Sequence, residues 1–190
     1  MAKIQVYHAG FQEIRRPDIH HGRKNADFGQ GFYLTSEREF SERWAKIRKG
    51  NDSTINCYEL DLDGLRVRSF ERDVDWFDYI YSNRRMMPDS LEGTDVVAGP
   101  IANDIIYDVL GITTSGFLTR EQSLKLFLIG PVYRQIALKT EKAADHLRFL
   151  SSEIVPPERI LSYREIIRAE EKEYQELFAN KLSEITKNDL

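Results

Sequence analysis

Asp27-Phe28-Gly29-Gln30-Gly31-Phe32-Tyr33-Leu34-Thr35 sets a tyrosine inside a short apolar run bordered by two glycines. Glycine adopts backbone conformations that a β-carbon disfavours, so the segment predicts a tight turn over 27–31 feeding a strand over Phe32 to Thr35. Upstream, Val6-Tyr7-His8-Ala9-Gly10 repeats the arrangement with a histidine. Lys3 to His8 alternates, with Ile4, Val6 and His8 on one face, and predicts an opening strand that ends at His8. A histidine orients a ligand through two ring nitrogens, and a tyrosine offers a flat face and one hydroxyl. Together they predict a pocket on strand ends for a planar, hydroxyl-rich ligand.

Between the two segments, Ala9 to Ala26 is polar, basic and broken by Pro17 and Gly22, and predicts a loop. Downstream, Ser36 and Glu39 have capping-box spacing, and Phe40, Trp44 and Ile47 predict a helix running to Gly50. Strands are predicted over Thr54 to Asp61, Arg66 to Phe70 and Asp95 to Ala98, with a helix over Asp73 to Met87 ended by Pro88. Gly99-Pro100 predicts a turn into a helix over Ala102 to Leu110, stopped by Gly111. Thr119 and Gln122 form a second capping box, opening a helix that carries Leu124, Phe127 and Leu128. Val132 to Lys139 predicts a strand, Thr140 to Asp145 a helical turn and Leu147 to Val155 another strand. Pro156-Pro157 closes this part. From Ser162 onward the apolar positions form a stripe on a highly charged helix, which either packs back on the domain or faces a partner.

With 190 residues, 41% hydrophobic and 31% charged, the chain can bury one core. The predicted organisation is one domain over 1–160 followed by an amphipathic helix over 161–190. A net charge of -4 gives no general attraction to nucleic acid or to an anionic membrane. The lone Cys57 cannot form an internal disulfide, and no stretch has the length of a membrane span, which predicts a soluble, cytoplasmic protein without a membrane partner. No phosphate loop or dinucleotide fingerprint is present, and Gly29-x-Gly31 precedes a strand rather than a helix. His20-His21 lacks metal-ligand spacing, so no metal is predicted. Arg15, Arg16, Arg23 and Lys24 read as solvated loop, with a lid over a pyrophosphate or polyanionic acceptor as the alternative.

Tyr7-His8-Ala9-Gly10 and Gly29-Gln30-Gly31-Phe32-Tyr33-Leu34-Thr35 resemble the first two motifs of the His-Tyr-Glu class of ADP-ribosyltransferases, which includes diphtheria-type toxins and poly(ADP-ribose) polymerases. The chain is also similar to a bacterial family of uncharacterised domains related to those enzymes. That closer likeness takes in Asp27-Phe28-Gly29, Trp44-Ala45, Asp95 to Asp104 and the Gln135 strand leading to Leu147-Arg148-Phe149, over roughly residues 4 to 150. The resemblance implies an α+β fold: a split, mostly antiparallel two-layer sheet with a central cleft and flanking helices. It implies transfer of ADP-ribose from NAD, as substrate, to a protein or nucleic-acid acceptor in a bacterial or phage toxin or effector. A glycosyltransferase of this kind in a toxin–antitoxin pair would meet an antitoxin, or a second copy of itself, through the C-terminal helix.

By the same resemblance His8, Tyr33 and Gln135 are the catalytic positions, and His8, Ala9, Gly10, Asn25, Asp27, Phe28, Gly31 and Tyr33 surround NAD. His8 would bond a ribose hydroxyl, the backbone of Ala9 would meet the carboxamide, and Tyr33 would stack on nicotinamide. Gln135 stands where the class has glutamate, and a neutral amide neither offsets developing positive charge nor takes a proton. Asp104, Glu141 or Glu153 are the candidates to bring a carboxylate instead. The alternatives are an inactive module that binds NAD or ADP-ribose and an RNA-processing relative that removes a phosphate.

Overall fold

The computed structural model describes residues 3–102 and 117–187. The opening alternation becomes strand β1 (Lys3–Gly10), two residues longer than predicted, so His8 lies within the strand rather than at its end. It pairs antiparallel with β3 (Thr54–Asp61), which pairs antiparallel with β7 (Leu147–Ile154). A second sheet has the order β2 (Phe32–Leu34), β6 (Arg134–Leu138), β5 (Val96–Pro100), β4 (Val67–Ser69). Only its β4–β5 pair is parallel. A bridge between Tyr7 and Thr35 ties β1 to the end of β2 and so joins the two sheets.

Side-chain alternation sorts the core into layers. Val6 and Tyr58 of the first sheet meet Leu34, Val96 and Leu138 of the second between the sheets. The neighbouring positions Val97 and Ala137 face the other way, onto α2 (Val74–Arg84), α3 (Arg120–Phe127) and the far end of α5 (Pro157–Lys187). Trp76 and Phe77 of α2 and Leu126 of α3 are buried there, each contributing about 1.5–3 kcal/mol relative to exposure. Ile55 and Val155, on the outer side of the first sheet, pack with Ala45 and with Ile160 at the start of α5. Helix α5 thus has Ile160 on one sheet and Tyr174, Phe178, Leu182 and Ile185 beside the other. The later part of its apolar stripe packs on the domain through Tyr174, Phe178, Leu182 and Ile185, while Leu161 and the stripe positions Ile166 and Leu177 stay exposed.

Several boundaries differ from the sequence reading. Helix α1 (Arg38–Arg43) stops well before Gly50, and Ser36 is not its cap: Glu37 is the N-cap and makes no side-chain capping bond. Thr35 instead accepts from the Glu37 amide at 3.1 Å, and Ile47, on the predicted apolar face, is exposed beyond the helix. Strand β5 continues through Gly99 and Pro100, where a turn was predicted, because these pair with Gln135 and Arg134. Pro157 is the first residue of α5, a position where its missing N–H costs no helix bond, so the helix begins five residues before Ser162. The Thr119–Gln122 capping box and the short helix α4 (Glu141–Asp145) form as predicted. The predicted helix over 102–110 lies outside the described residues, and so does Asp104.

Candidate functional site

The turn over 27–31 is built by its glycines and closed by Tyr33. Gly29 has φ +74, a conformation that L side chains resist, and a β-carbon on Gly31 would lie 2.6 Å from the Leu138 carbonyl. The Tyr33 hydroxyl accepts from the Phe28 amide at 2.9 Å and donates to the Gly29 carbonyl at 2.7 Å. That hydroxyl is spent on the turn rather than held out for a ligand, and the ring is what Tyr33 presents. Burial, followed by the nearby Asp27 charge, pushes its pKa far up and keeps the phenol protonated.

His8 meets this strand from the other side. Its Nδ1 lies 2.7 Å from the Tyr33 carbonyl oxygen, and its ring stacks on Phe32 at 4.3 Å between centroids. A carbonyl only accepts, so Nδ1 carries the proton and Nε2 keeps a lone pair in the neutral ring. Burial lowers the His8 pKa, the Tyr33 carbonyl opposing it, which favours that neutral form. Phe32 belongs to the layer between the sheets, whereas Tyr33 packs toward the helices. The link between His8 and Tyr33 is therefore the backbone, not a shared face.

Asp27 is the hub of the opposite wall. Arg84 donates to its Oδ1 from Nε at 2.8 Å and from Nη2 at 2.5 Å. The Ala102 amide and Gln135 Nε2 donate to its Oδ2 at 2.9 and 2.8 Å. Both side chains of the Asp27–Arg84 pair are under a tenth exposed, which makes good geometry essential to offset their desolvation. Four donors on one carboxylate explain why position 135 is an amide: glutamate there would set two carboxylates in contact. With Nε2 committed to Asp27, Gln135 keeps Oε1 as an acceptor.

Tyr33, Asp27 and Gln135 line one cavity of about 790 Å³, together with Asn25, Ala26 and Arg23 of the loop. It opens on the helix-facing side of the second sheet rather than between the sheets, since Tyr33 and Gln135 share that side with Ala137. Phe40, Arg43 and Trp44 from and just after α1 form another wall, and Ile167, Glu170 and Tyr174 of α5 a third. Arg43 Nη1 donates to the two Glu170 oxygens at 2.8 and 3.0 Å and to the Tyr133 hydroxyl at 2.9 Å. Burial lowers the Arg43 pKa, but Glu170, with Tyr133 and Glu39, outweighs it and leaves the pKa raised.

The predicted residues thus divide. Tyr33, Gln135, Asn25 and Asp27 line the cavity, whereas His8, Ala9, Gly10, Phe28 and Gly31 are not among its lining residues. Glu153 pairs with Arg38 at 2.6 Å and Glu141 faces His20 at 3.6 Å, so neither brings a carboxylate to this wall. Of the basic loop only Arg23 reaches it; Arg16 pairs with Asp145, and Lys24 lines a separate cavity of about 410 Å³ beside Lys139. Arg84, Arg43, Tyr133 and Glu170 were not singled out by the sequence, because three are ordinary helix residues and Tyr133 lies just ahead of a strand until the fold brings them to the cavity.

Fold and site define an α+β protein whose two joined sheets carry a polar, aromatic-lined cavity under a C-terminal helix. The chain belongs to the family described as a protein of unknown function (DUF3990), whose model matches residues 4–149. No curated protein and no solved structure matches it. Among the described residues no helix is long and apolar enough to cross a membrane.

Proposed function

We propose that the cavity binds NAD and that the chain transfers ADP-ribose from it to a macromolecular acceptor. The observation that carries this reading is the convergence of Tyr33 and Gln135, from distant segments that resemble two motifs of ADP-ribosyltransferases, on one cavity, with His8 of the third segment bonded to the Tyr33 backbone. A volume of about 790 Å³ lies within the range of cofactor sites, roughly 300–1,000 Å³. In this reading the Tyr33 ring stacks on nicotinamide and Gln135 Oε1 accepts from a ribose hydroxyl. His8 acts from behind, fixing the strand that carries Tyr33. The bond between nicotinamide and ribose breaks with its electrons going to nicotinamide, which leaves neutral; an acceptor nucleophile then attacks the ribosyl carbon and gives up its proton to water. The Gln135 carbonyl dipole faces the developing positive charge, a weaker aid than a carboxylate.

The competing reading is a module that binds NAD without turnover. It is favoured by one observation: Asp27 and Glu170 at the cavity are each neutralised by an arginine, and position 135 holds an amide. Incubation with NAD labelled separately in adenine and in nicotinamide, with cell extract as acceptor, tests both. Adenine label on macromolecules with matching free nicotinamide, both lost in Tyr33→Ala, is the result for transfer. Saturable binding with no released nicotinamide is the result for the module.

A further inference from the structure

The Glu170 carboxylate is held as a phosphate would be held. Both oxygens take Arg43 Nη1 at 2.8 and 3.0 Å, and the Tyr133 hydroxyl lies 3.3 Å from each. The Arg43 side chain is only 13% exposed and its guanidinium lies over the Tyr133 ring at 5.1 Å, itself stacked on Phe40 at 4.3 Å. Arginine over an aromatic plane, with a phenol beside it, is a rigid receptor for an oxyanion. Tyr133 immediately precedes β6 and stands two residues before Gln135, so the receptor adjoins Gln135 in the cavity, and Arg23 lines the same space. Its occupant comes from α5, which starts beyond the residues 4–149 that match the family. Helix α5 is fastened on either side of Glu170, by Ile160 in one core cluster and by Tyr174 and Ile185 beside another.

We infer that Arg43 and Tyr133 form the subsite for a phosphate group of the dinucleotide, and that Glu170 occupies this subsite in the free protein as a built-in competitor. The assignment rests on the NAD reading for the identity of the ligand, and on the Arg43–Glu170–Tyr133 geometry for the subsite itself. A phosphate entering the cavity takes the guanidinium from Glu170, so the C-terminal helix sets the affinity for anionic ligands.

The test is the affinity of the full chain for NAD, ADP, inorganic pyrophosphate and nicotinamide riboside, which lacks phosphate, in wild type, Glu170→Gln and Arg43→Met, with thermal unfolding alongside. Glu170→Gln keeps the size and the hydrogen-bonding oxygen but removes the charge. It should tighten NAD, ADP and pyrophosphate about tenfold, the scale of one charge-assisted contact, and leave nicotinamide riboside unchanged. Arg43→Met should weaken the same three ligands, and the double variant should show no gain over Arg43→Met; Arg43→Lys serves if the Met variant does not fold. Unchanged or weaker binding of the phosphate ligands in Glu170→Gln overturns the subsite, as does equal tightening of nicotinamide riboside. Tightening of ADP and pyrophosphate with no NAD binding in any variant upholds the subsite and refutes the NAD reading. No binding of any anion by any variant refutes both.

Discussion

Asp27→Asn removes one charge and almost no volume at the centre of the cavity wall. All four neighbours of the carboxylate are donors: Arg84 Nε and Nη2 on Oδ1, the Ala102 amide and Gln135 Nε2 on Oδ2. Asparagine must turn its amide hydrogens toward one of these pairs. Gln135 can rotate to offer Oε1, but neither the backbone amide of Ala102 nor the guanidinium can become an acceptor. A donor-to-donor contact therefore remains in either orientation, and the buried Arg84, 7% exposed, loses the Asp27 carboxylate from its Nε and Nη2. Breaking one side of such a buried pair costs about 3–5 kcal/mol. For a chain of this size that corresponds to a fall in Tm of about 6–20 °C. Urea unfolding followed by the fluorescence of the two tryptophans, of which Trp76 is buried against Phe127, reads the loss directly. Arg84→Met alone should cost a similar amount, and the double variant clearly less than the sum, because the contact that the two side chains share can be lost only once. An Asp27→Asn variant within about 1 kcal/mol of wild type, or strict additivity with Arg84→Met, would refute the hub.

Gln135→Glu places a second carboxylate 2.8 Å from Asp27 Oδ2, where like charges cannot both ionise, so it should destabilise by about 2–4 kcal/mol near pH 7 rather than restore an active site. Its deficit should shrink on acidification, because the folded state binds the extra proton more tightly than the unfolded chain; a pH series of urea midpoints checks this, and a deficit that grows with acidity contradicts it. Burial lowers the His8 pKa from its ordinary value of 6.5, so the unfolded chain binds that proton more tightly and stability rises with pH through this window. Its contribution is complete above 6.5 and is lost as the pH falls below it, and His8→Gln should flatten that part of the stability profile. Gly31→Ala drives a β-carbon to 2.6 Å from the Leu138 carbonyl, which should cost about 1–3 kcal/mol by parting β2 from β6. An alanine variant with wild-type Tm would show that the strands have room to shift.

The strands were legible where one face alternates and turn residues bound the run: β3 occupies the predicted Thr54 to Asp61 and β6 falls within Val132 to Lys139. The Thr119 cap was legible because its reciprocal bonds depend on two residues three apart. Ser36 carried the same spacing, but Thr35, held by its bridge to Tyr7, supplies the hydrogen bond at that helix start, and a long-range contact overrides the local signal. At the site, Tyr33 and Gln135 were visible as motif residues, and Asp27 as the first residue of the glycine-containing turn. Arg84 and Arg43 gave no sign of their roles, since what selects them is a carboxylate far away in sequence. The side of the sheet on which the cavity opens was equally hidden, because it depends on how α1, α2 and α5 cover the strands.

Calorimetric titration of the full chain with NAD, in wild type and in Tyr33→Ala, tests the central claim most directly. Saturable binding of one NAD per chain, weakened about tenfold or more by loss of the ring that stacks on nicotinamide, is the predicted result. Wild-type protein that takes up no NAD, or Tyr33→Ala that remains folded and binds it equally well, would contradict the account.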